Sequence, residues 1–412
     1  MASRRTHLVA ALSAAGLLAA ACGTDEPRVA DAVSRAGAST SVSPSAAATT
    51  PSRPAVPSAS PSPSGPVPSP IASVGPGERA LSVLTLNGYA EWGGTDPKVK
   101  WVAGFEQETG CKVSIRYYDP YQEEKPDDFS PSSFDVISAT PVVGGRLIAQ
   151  RKVAPLNTTL VGGYDRIPRT LRELASVNQD DQVYGVPFLW GTSEVLYDSA
   201  KVRPAGAEAI FTDEGPVVFR DSPLSLADAA LVLKERGADI ADPFDLTPAQ
   251  LDEAAALFSS EKAAPGRRLF WRDPIEVVQA FATGSARLAQ GTPYLLDVLT
   301  RGHTKVRAVT DRPVTGWADS WMVSAQAAHP SCAYQWLEWN ASPDVQRRAA
   351  MWNGLAPADP DACKGRARAI RRICADYRVG DAKAFAGVFF AVRPPDYAQW
   401  ADRWSRIAPR PR

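Results

Sequence analysis

Apolar and polar positions along this chain fall into three regimes. From Leu8 to Ala21 the residues lean apolar behind Arg4 and Arg5, and small residues, Ala19, Ala20 and Ala21, precede Cys22. That run is well short of the ~20 positions a membrane span needs, so residues 1–21 read as an export leader. From 22 to 79 the chain is mostly Ser, Pro, Ala, Thr and Val, with almost no large apolar side chain. Such a segment cannot offset its ordering entropy and reads as a flexible stalk with an r.m.s. span of roughly 40 Å. From residue 80 onward the spacing becomes that of a folded body.

Ala80 to Leu86 alternates and then runs apolar, as a buried strand does, with Asn87-Gly88 as a turn and Gly93-Gly94 as loop. Residues 99–109 are expected to form a helix that Gly110 ends, and Cys111–Tyr117 and Phe134–Ser138 to form strands. Strands and helices alternating with short connections predict an α/β fold with a parallel sheet covered on both faces. Thr247-Pro248 with Gln250 has the form of a capping box, and Ser342-Pro343 opens a helix that Asn353-Gly354 stops. Asp221-Ser222-Pro223 opens another, with Leu226, Ala229, Ala230 and Leu233 on its inner face. Val183 to Tyr197 and Lys305 to Val314 are extended runs bounded by glycine or proline, taken as the places where the chain passes between two lobes. No internal repeat is found.

Charge narrows the partners. Lys and Arg number 45, as do Asp and Glu, and loss of a leader holding Arg4 and Arg5 leaves a slight acidic excess. No basic field argues for nucleic acid. Chemistry is narrowed further by histidine, which occurs only at His7, His303 and His329, and by the lack of a Gly-x-Ser-x-Gly, His-Glu-x-x-His, phosphate-loop or dinucleotide motif. A carboxylate-pair glycosidase stays open as the enzymatic alternative. Five cysteines are present. With Cys22 set aside, Cys111, Cys332, Cys363 and Cys374 form an even set in an exported chain. Three pairings are possible; Cys363 with Cys374, which closes a local loop, and Cys111 with Cys332 is the favoured one. No Cys-x-x-Cys pair supports a metal, and no cofactor is expected.

Ala19-Ala20-Ala21-Cys22 resembles the bacterial lipobox, with Ala19 where a bulkier aliphatic usually stands, which implies a lipid on Cys22 and a chain anchored to the outer face of the cytoplasmic membrane. Three later segments together resemble the solute-binding proteins of ABC importers, of the spermidine/putrescine type. They are Phe105 to Val113 (FEQETGCKV), Tyr184 to Thr192 (YGVPFLWGT) and Thr315 to Met322 (TGWADSWM). Asn87 to Glu91, Asp221 to Leu231 and His329 to Tyr334 fit in order as well. The resemblance implies two α/β lobes of the type II periplasmic-binding kind, with a hinge and a ligand cleft. Residues 80–190 and 318–357 are expected in lobe 1, and 191–317 and 358–412 in lobe 2. The implied function is capture of a polyamine-like cation, without chemistry, by a monomer that delivers it to a membrane permease. A receptor for another solute, or a sensor or adhesin descended from one, is the alternative.

A polyamine carries ammonium groups separated by methylenes, so its site needs carboxylates for charge-assisted hydrogen bonds and aromatic faces for the methylenes. Trp317, Asp319 and Trp321 are spaced by two, which in a strand puts two indoles and a carboxylate on one face. By the resemblance, Trp317 and Asp319 fall on ligand-holding positions. Glu91 matches an acid that meets a terminal ammonium, with Tyr89 and Trp92 as aromatic neighbours. Asp221 matches a second-lobe carboxylate, though its place before Ser222-Pro223 equally suits a helix N-cap. Tyr294 is the aromatic left where relatives carry an additional Trp, here Thr292, and Leu224 stands where a further acid is usual. Both departures weaken the match to spermidine itself. Trp190 and Glu194 are read as hinge packing. The acidic run Glu123, Glu124, Asp127 and Asp128 is read as solvated surface.

Overall fold

The computed structural model describes residues 69–91, 100–119, 133–258, 267–310 and 312–408. Cys22, the leader and most of the stalk, Trp92, the Gly93-Gly94 loop and the acidic run 123–128 lie outside the described residues.

In chain order the strands are β1 (Ala80–Thr85), β2 (Lys112–Tyr117), β3 (Val136–Ala139), β4 (Asn178–Gln179), β5 (Gln182–Val183), β6 (Val186–Thr192), β7 (Glu194–Asp198), β8 (Val217–Arg220), β9 (Arg268–Trp271), β10 (Leu288–Gly291), β11 (Val306–Ala308), β12 (Val314–Val323), β13 (Ala356–Pro357) and β14 (Val388–Phe390). The helices are α1 (Val102–Thr109), α2 (Pro141–Ala149), α3 (Arg169–Arg172), α4 (Ala209–Thr212), α5 (Ser225–Glu235), α6 (Pro248–Phe258), α7 (Pro274–Ala282), α8 (Pro293–Arg301), α9 (Pro330–Asn340), α10 (Pro343–Asn353), α11 (Arg368–Asp376) and α12 (Tyr397–Ile407).

Two sheets carry two lobes. The first has the order β13-β6-β12-β3-β1-β2, with β14 added beside β12, and the second has the order β11-β7-β10-β8-β9. Strands β1, β2 and β3 run parallel, as do β8, β9 and β10, while β12 and β7 run against their main neighbours. Period-two burial fills both faces of each sheet. On β1, Leu81 and Val83 enter one core and Leu84 the core on the opposite face. On β8, Val217 and Phe219 face one side and Val218 the other.

Local signals act where the sequence places them. Gly110 takes the left-handed conformation, φ 75°, that ends α1. The capping box forms: Gln250 N–H donates to Thr247 Oγ1 at 3.3 Å and Thr247 N–H to Gln250 Oε1 at 2.8 Å. Ser342 caps α10, and Gly354 ends it at φ 66°. The disulfides are Cys111–Cys332 and Cys363–Cys374.

The chain changes sheets at Ser193, between β6 and β7, and again between β11 and β12. Asp228 on α5 stands where these crossings meet. It accepts hydrogen bonds from Thr315 Oγ1 (2.7 Å), Gln290 Nε2 (2.8 Å) and Ser193 Oγ (3.3 Å). Desolvation raises its pKa against the pull of these hydrogen bonds.

One expected boundary moves. Residues 358–390 do not go to the second lobe as a block. Ile370, Ile373, Cys374 and Tyr377 enter the core of the first, and β14 pairs with β12 of the first sheet over Val314–Gly316. The second lobe takes Ala391 and α12, where Tyr397, Trp400 and Trp404 are buried, and Arg372 on α11 pairs with Asp297 on α8. Polar spacing along this tail gives no hint of the exchange, because its partners lie far away in the chain.

Candidate functional site

A cleft of about 1320 Å³ is lined by elements of both sheets. It lies at the carboxyl ends of the parallel strands: Leu86, Asn87 and Tyr89 follow β1, and Arg220 and Asp221 close β8. Side chains at such ends are held by strand backbones yet face open space, the usual position for ligand groups in open α/β sheets.

Four acids line its wall, Asp119, Asp221, Asp273 and Asp319, and Asp319 is the most deeply buried. Carried by β12, it is 3% exposed, its Oδ2 accepts the Tyr89 hydroxyl, and its Oδ1 has no hydrogen-bond partner. Burial pushes its pKa up to about 7, against the opposing pull of the Tyr89 hydrogen bond, the Arg220 charge and the nearby Trp317 indole. Tyr89 is buried and edge-on to Phe188, and its hydroxyl pKa is raised by desolvation and by the Asp319 charge. Trp317 lines the cleft beside Asp319.

The expected stripe of Trp317, Asp319 and Trp321 is broken. The pairing of β12 with β6 shifts register between Asp319 and Ser320, and such a bulge reverses the alternation of faces. Trp321 turns into the core of the first lobe, 1% exposed and edge-on to Phe188 and Trp336.

Two other acids are committed elsewhere. The Glu91 carboxylate accepts the Gly88 N–H at 2.9 Å, its backbone carbonyl accepts Trp101 and Val102, and it does not line the cleft. The side chain fastens its own loop, and desolvation raises its pKa. Asp221 lines the cleft but accepts Arg272 Nε (2.7 Å) and Trp404 Nε1 (2.8 Å). It caps no helix, since α5 begins at Ser225 with no side-chain cap. Tyr294 does line the cleft, and its ring fills the space where a Cβ on Gly354 would stand, 2.1 Å away. Thr292 caps α8 through Leu295 N–H at 3.3 Å. Trp190 is buried in the core of the first lobe, edge-on to Tyr377 and donating to the Pro357 carbonyl at 3.2 Å. Glu194 is pushed up to about 7, chiefly by burial.

Sequence reasoning missed Arg220, Trp271, Arg272, Tyr397 and Trp404, all on the cleft wall. Arg220 directly precedes an acid already singled out, so its strand-end position was a usable signal. Trp404 offers none, because α12 reaches the cleft only through tertiary packing. Among the described residues no group of three or more His, Cys, Asp or Glu could hold a metal ion.

Two lobes joined by crossing strands, with a cleft walled by aromatic rings and by charged side chains of both signs, have the architecture of a solute-binding protein of the periplasmic-binding kind. The chain belongs to the bacterial extracellular solute-binding protein family, whose model matches residues 100–366. It is 22% identical over 268 residues to the putrescine/agmatine-binding protein of Pseudomonas aeruginosa, covering 61% of this chain and 72% of that protein. Among solved structures it is similar to the TpPotD lipoprotein Tp0655 of Treponema pallidum, with a TM-score of 0.62, 14% identity and coverage of 80% of this chain and 100% of the other. The spermidine/putrescine ABC transporter substrate-binding protein PotD of Streptococcus pneumoniae matches with a TM-score of 0.61, 14% identity and coverage of 80% and 97%.

Proposed function

We propose that this chain captures a small organic amine of the polyamine class outside the cell and hands it, lobes closed, to an ABC permease, carrying out no chemistry on it. The observation that carries the reading is Asp319: a buried carboxylate with one oxygen held by Tyr89 and the other without a partner, beside the Trp317 ring on the cleft wall. An ammonium supplies the missing donor, and the indole covers adjoining methylenes. The Pseudomonas relative, named for putrescine and agmatine, supports the amine. Trp317, Asp319, Tyr89 and Tyr294 form the ligand set in this reading, with Glu91 and Asp221 as supports.

Closure follows if contacts from both lobes are complete only when the cleft is shut, since a solute then shifts the balance by its differential affinity. The chain acts as a monomer, tethered by lipid on Cys22 with the stalk as spacer. Titration calorimetry of the full-length mature chain with 1,4-diaminobutane, agmatine and spermidine tests the amine. Binding weakened by Asp319→Asn is expected, and silence across the panel would remove the reading. For the tether, Cys22→Ala should move the chain from the membrane fraction to the medium.

A further inference from the structure

Arg220 is the one part of the cleft that a simple diamine leaves unexplained. It ends β8 in the second lobe, and its guanidinium stacks over the Trp317 ring at 4.8 Å and lies 5.9 Å from the Trp271 ring. Among the described residues that guanidinium makes no ion pair and donates no hydrogen bond, and its Nε is buried without a partner. The neighbouring Arg272 differs, because Asp221 holds it at 2.6 Å and Trp404 holds Asp221. Leaving buried donors of a charged group unmet is costly, so an unpaired guanidinium on a cleft wall is a site for an anion.

The acids tell the same story from the other side. A diamine with both ends anchored needs two accepting carboxylates, but Glu91 is bonded to its own loop and Asp221 is neutralised by Arg272. Of the other acids on the cleft wall, Asp119 and Asp273 are exposed and Asp273 caps α7 through the Ile275 N–H, whereas Asp319 keeps a buried oxygen without a hydrogen-bond partner. A second ammonium would meet Arg220, which already covers a face of Trp317.

We infer that the solute carries a carboxylate as well as an amine: its ammonium is held by Asp319 and Tyr89 on the first lobe, and its carboxylate by the Arg220 fork on the second. This rests on the amine reading and names what stands at the amine's other end. Asp319 and Arg220 already sense each other's charge. A ligand bearing both signs satisfies each and ties the lobes together, whereas the two groups alone stay apart. The planar guanidinium, backed by the indole, presents parallel N–H donors that match a carboxylate's two oxygens.

The test compares 1,4-diaminobutane, agmatine, 4-aminobutanoate and 5-aminopentanoate by calorimetry on the full-length mature chain. We expect an amino-carboxylate to bind roughly tenfold or more tightly than the diamine, the size of one charge-assisted contact. Arg220→Gln should erase that preference, read as the ratio of amino-carboxylate to diamine affinity on the same variant, and Arg220→Lys should restore part of it. Thermal melts of each variant separate misfolding from lost recognition. Should the diamine bind as well as the amino-carboxylates, or the preference survive in a folded Arg220→Gln protein, this inference fails and the amine reading stands. If no compound in the set binds, both fail together.

Discussion

Asp319 sits near its own titration point. An ammonium needs the carboxylate form, and with a free-protein pKa of about 7 the proton and the solute compete for the same oxygen. Amine affinity should therefore fall by up to about tenfold per pH unit below about 7 and level off above it, a slope absent from the Asp319→Asn protein and readable by calorimetry from pH 5 to 8.5. Glu194 makes the complementary case for stability. Its folded pKa of about 7 lies above the ordinary value of 4.5, so the folded state holds a proton that the unfolded chain releases. That contribution is complete below about pH 4 and is lost as pH rises through about 7. Glu194→Gln should accordingly raise stability at pH 8 by on the order of 1–3 kcal/mol and leave it nearly unchanged at pH 4, as seen in denaturant melts. Arg312 keeps Glu235 as a partner in that variant, at 3.4 Å. At this scale the sequence was a good guide to residue types and a poor one to their engagements. Asp319 and Trp317, which the resemblance put on ligand-holding positions, do line the cleft, but nothing local says that Glu91 serves its own turn or that Asp221 is already paired.

Strands, helices and their ends follow from short-range chemistry, and so the capping residues, the left-handed glycines and the apolar faces appear where patterning puts them. The bulge in β12 is the exception that matters for the site. It depends on how β6 lies alongside, and it separates Trp321 from the pair it was grouped with. The two disulfides constrain different elements. Cys111–Cys332 ties the residue before β2 to α9 across 221 positions, while Cys363–Cys374 spans 11 and closes a local loop at α11. Loop-closure entropy predicts that Cys111→Ala with Cys332→Ala costs more than the Cys363/Cys374 pair, by about 3 kcal/mol in denaturant titrations.

For the molecule as a whole, the second sheet is entered and left through crossings whose residues Ser193 and Thr315 both hydrogen-bond Asp228. Addition of a bound solute should reduce the radius of gyration of the full-length chain in small-angle scattering, and an unchanged profile with saturating ligand would argue against closure. The tail is where tertiary structure departs most from expectation: residues 358–390 complete the first lobe and α12 the second, so the carboxyl-terminal segment laces both together. The sequence by itself determined the α/β class, the exported character expected of the chain, the cysteine set and the aromatic and acidic residues of one cleft wall, because each depends on local spacing or composition. Only the tertiary structure decided that Asp319 keeps a buried oxygen without a partner, that Arg220 stands unpaired over Trp317, and which sheet each part of the tail joins. Charge neutralisation and strand register are set by groups distant in the chain, and no window along the sequence contains both partners.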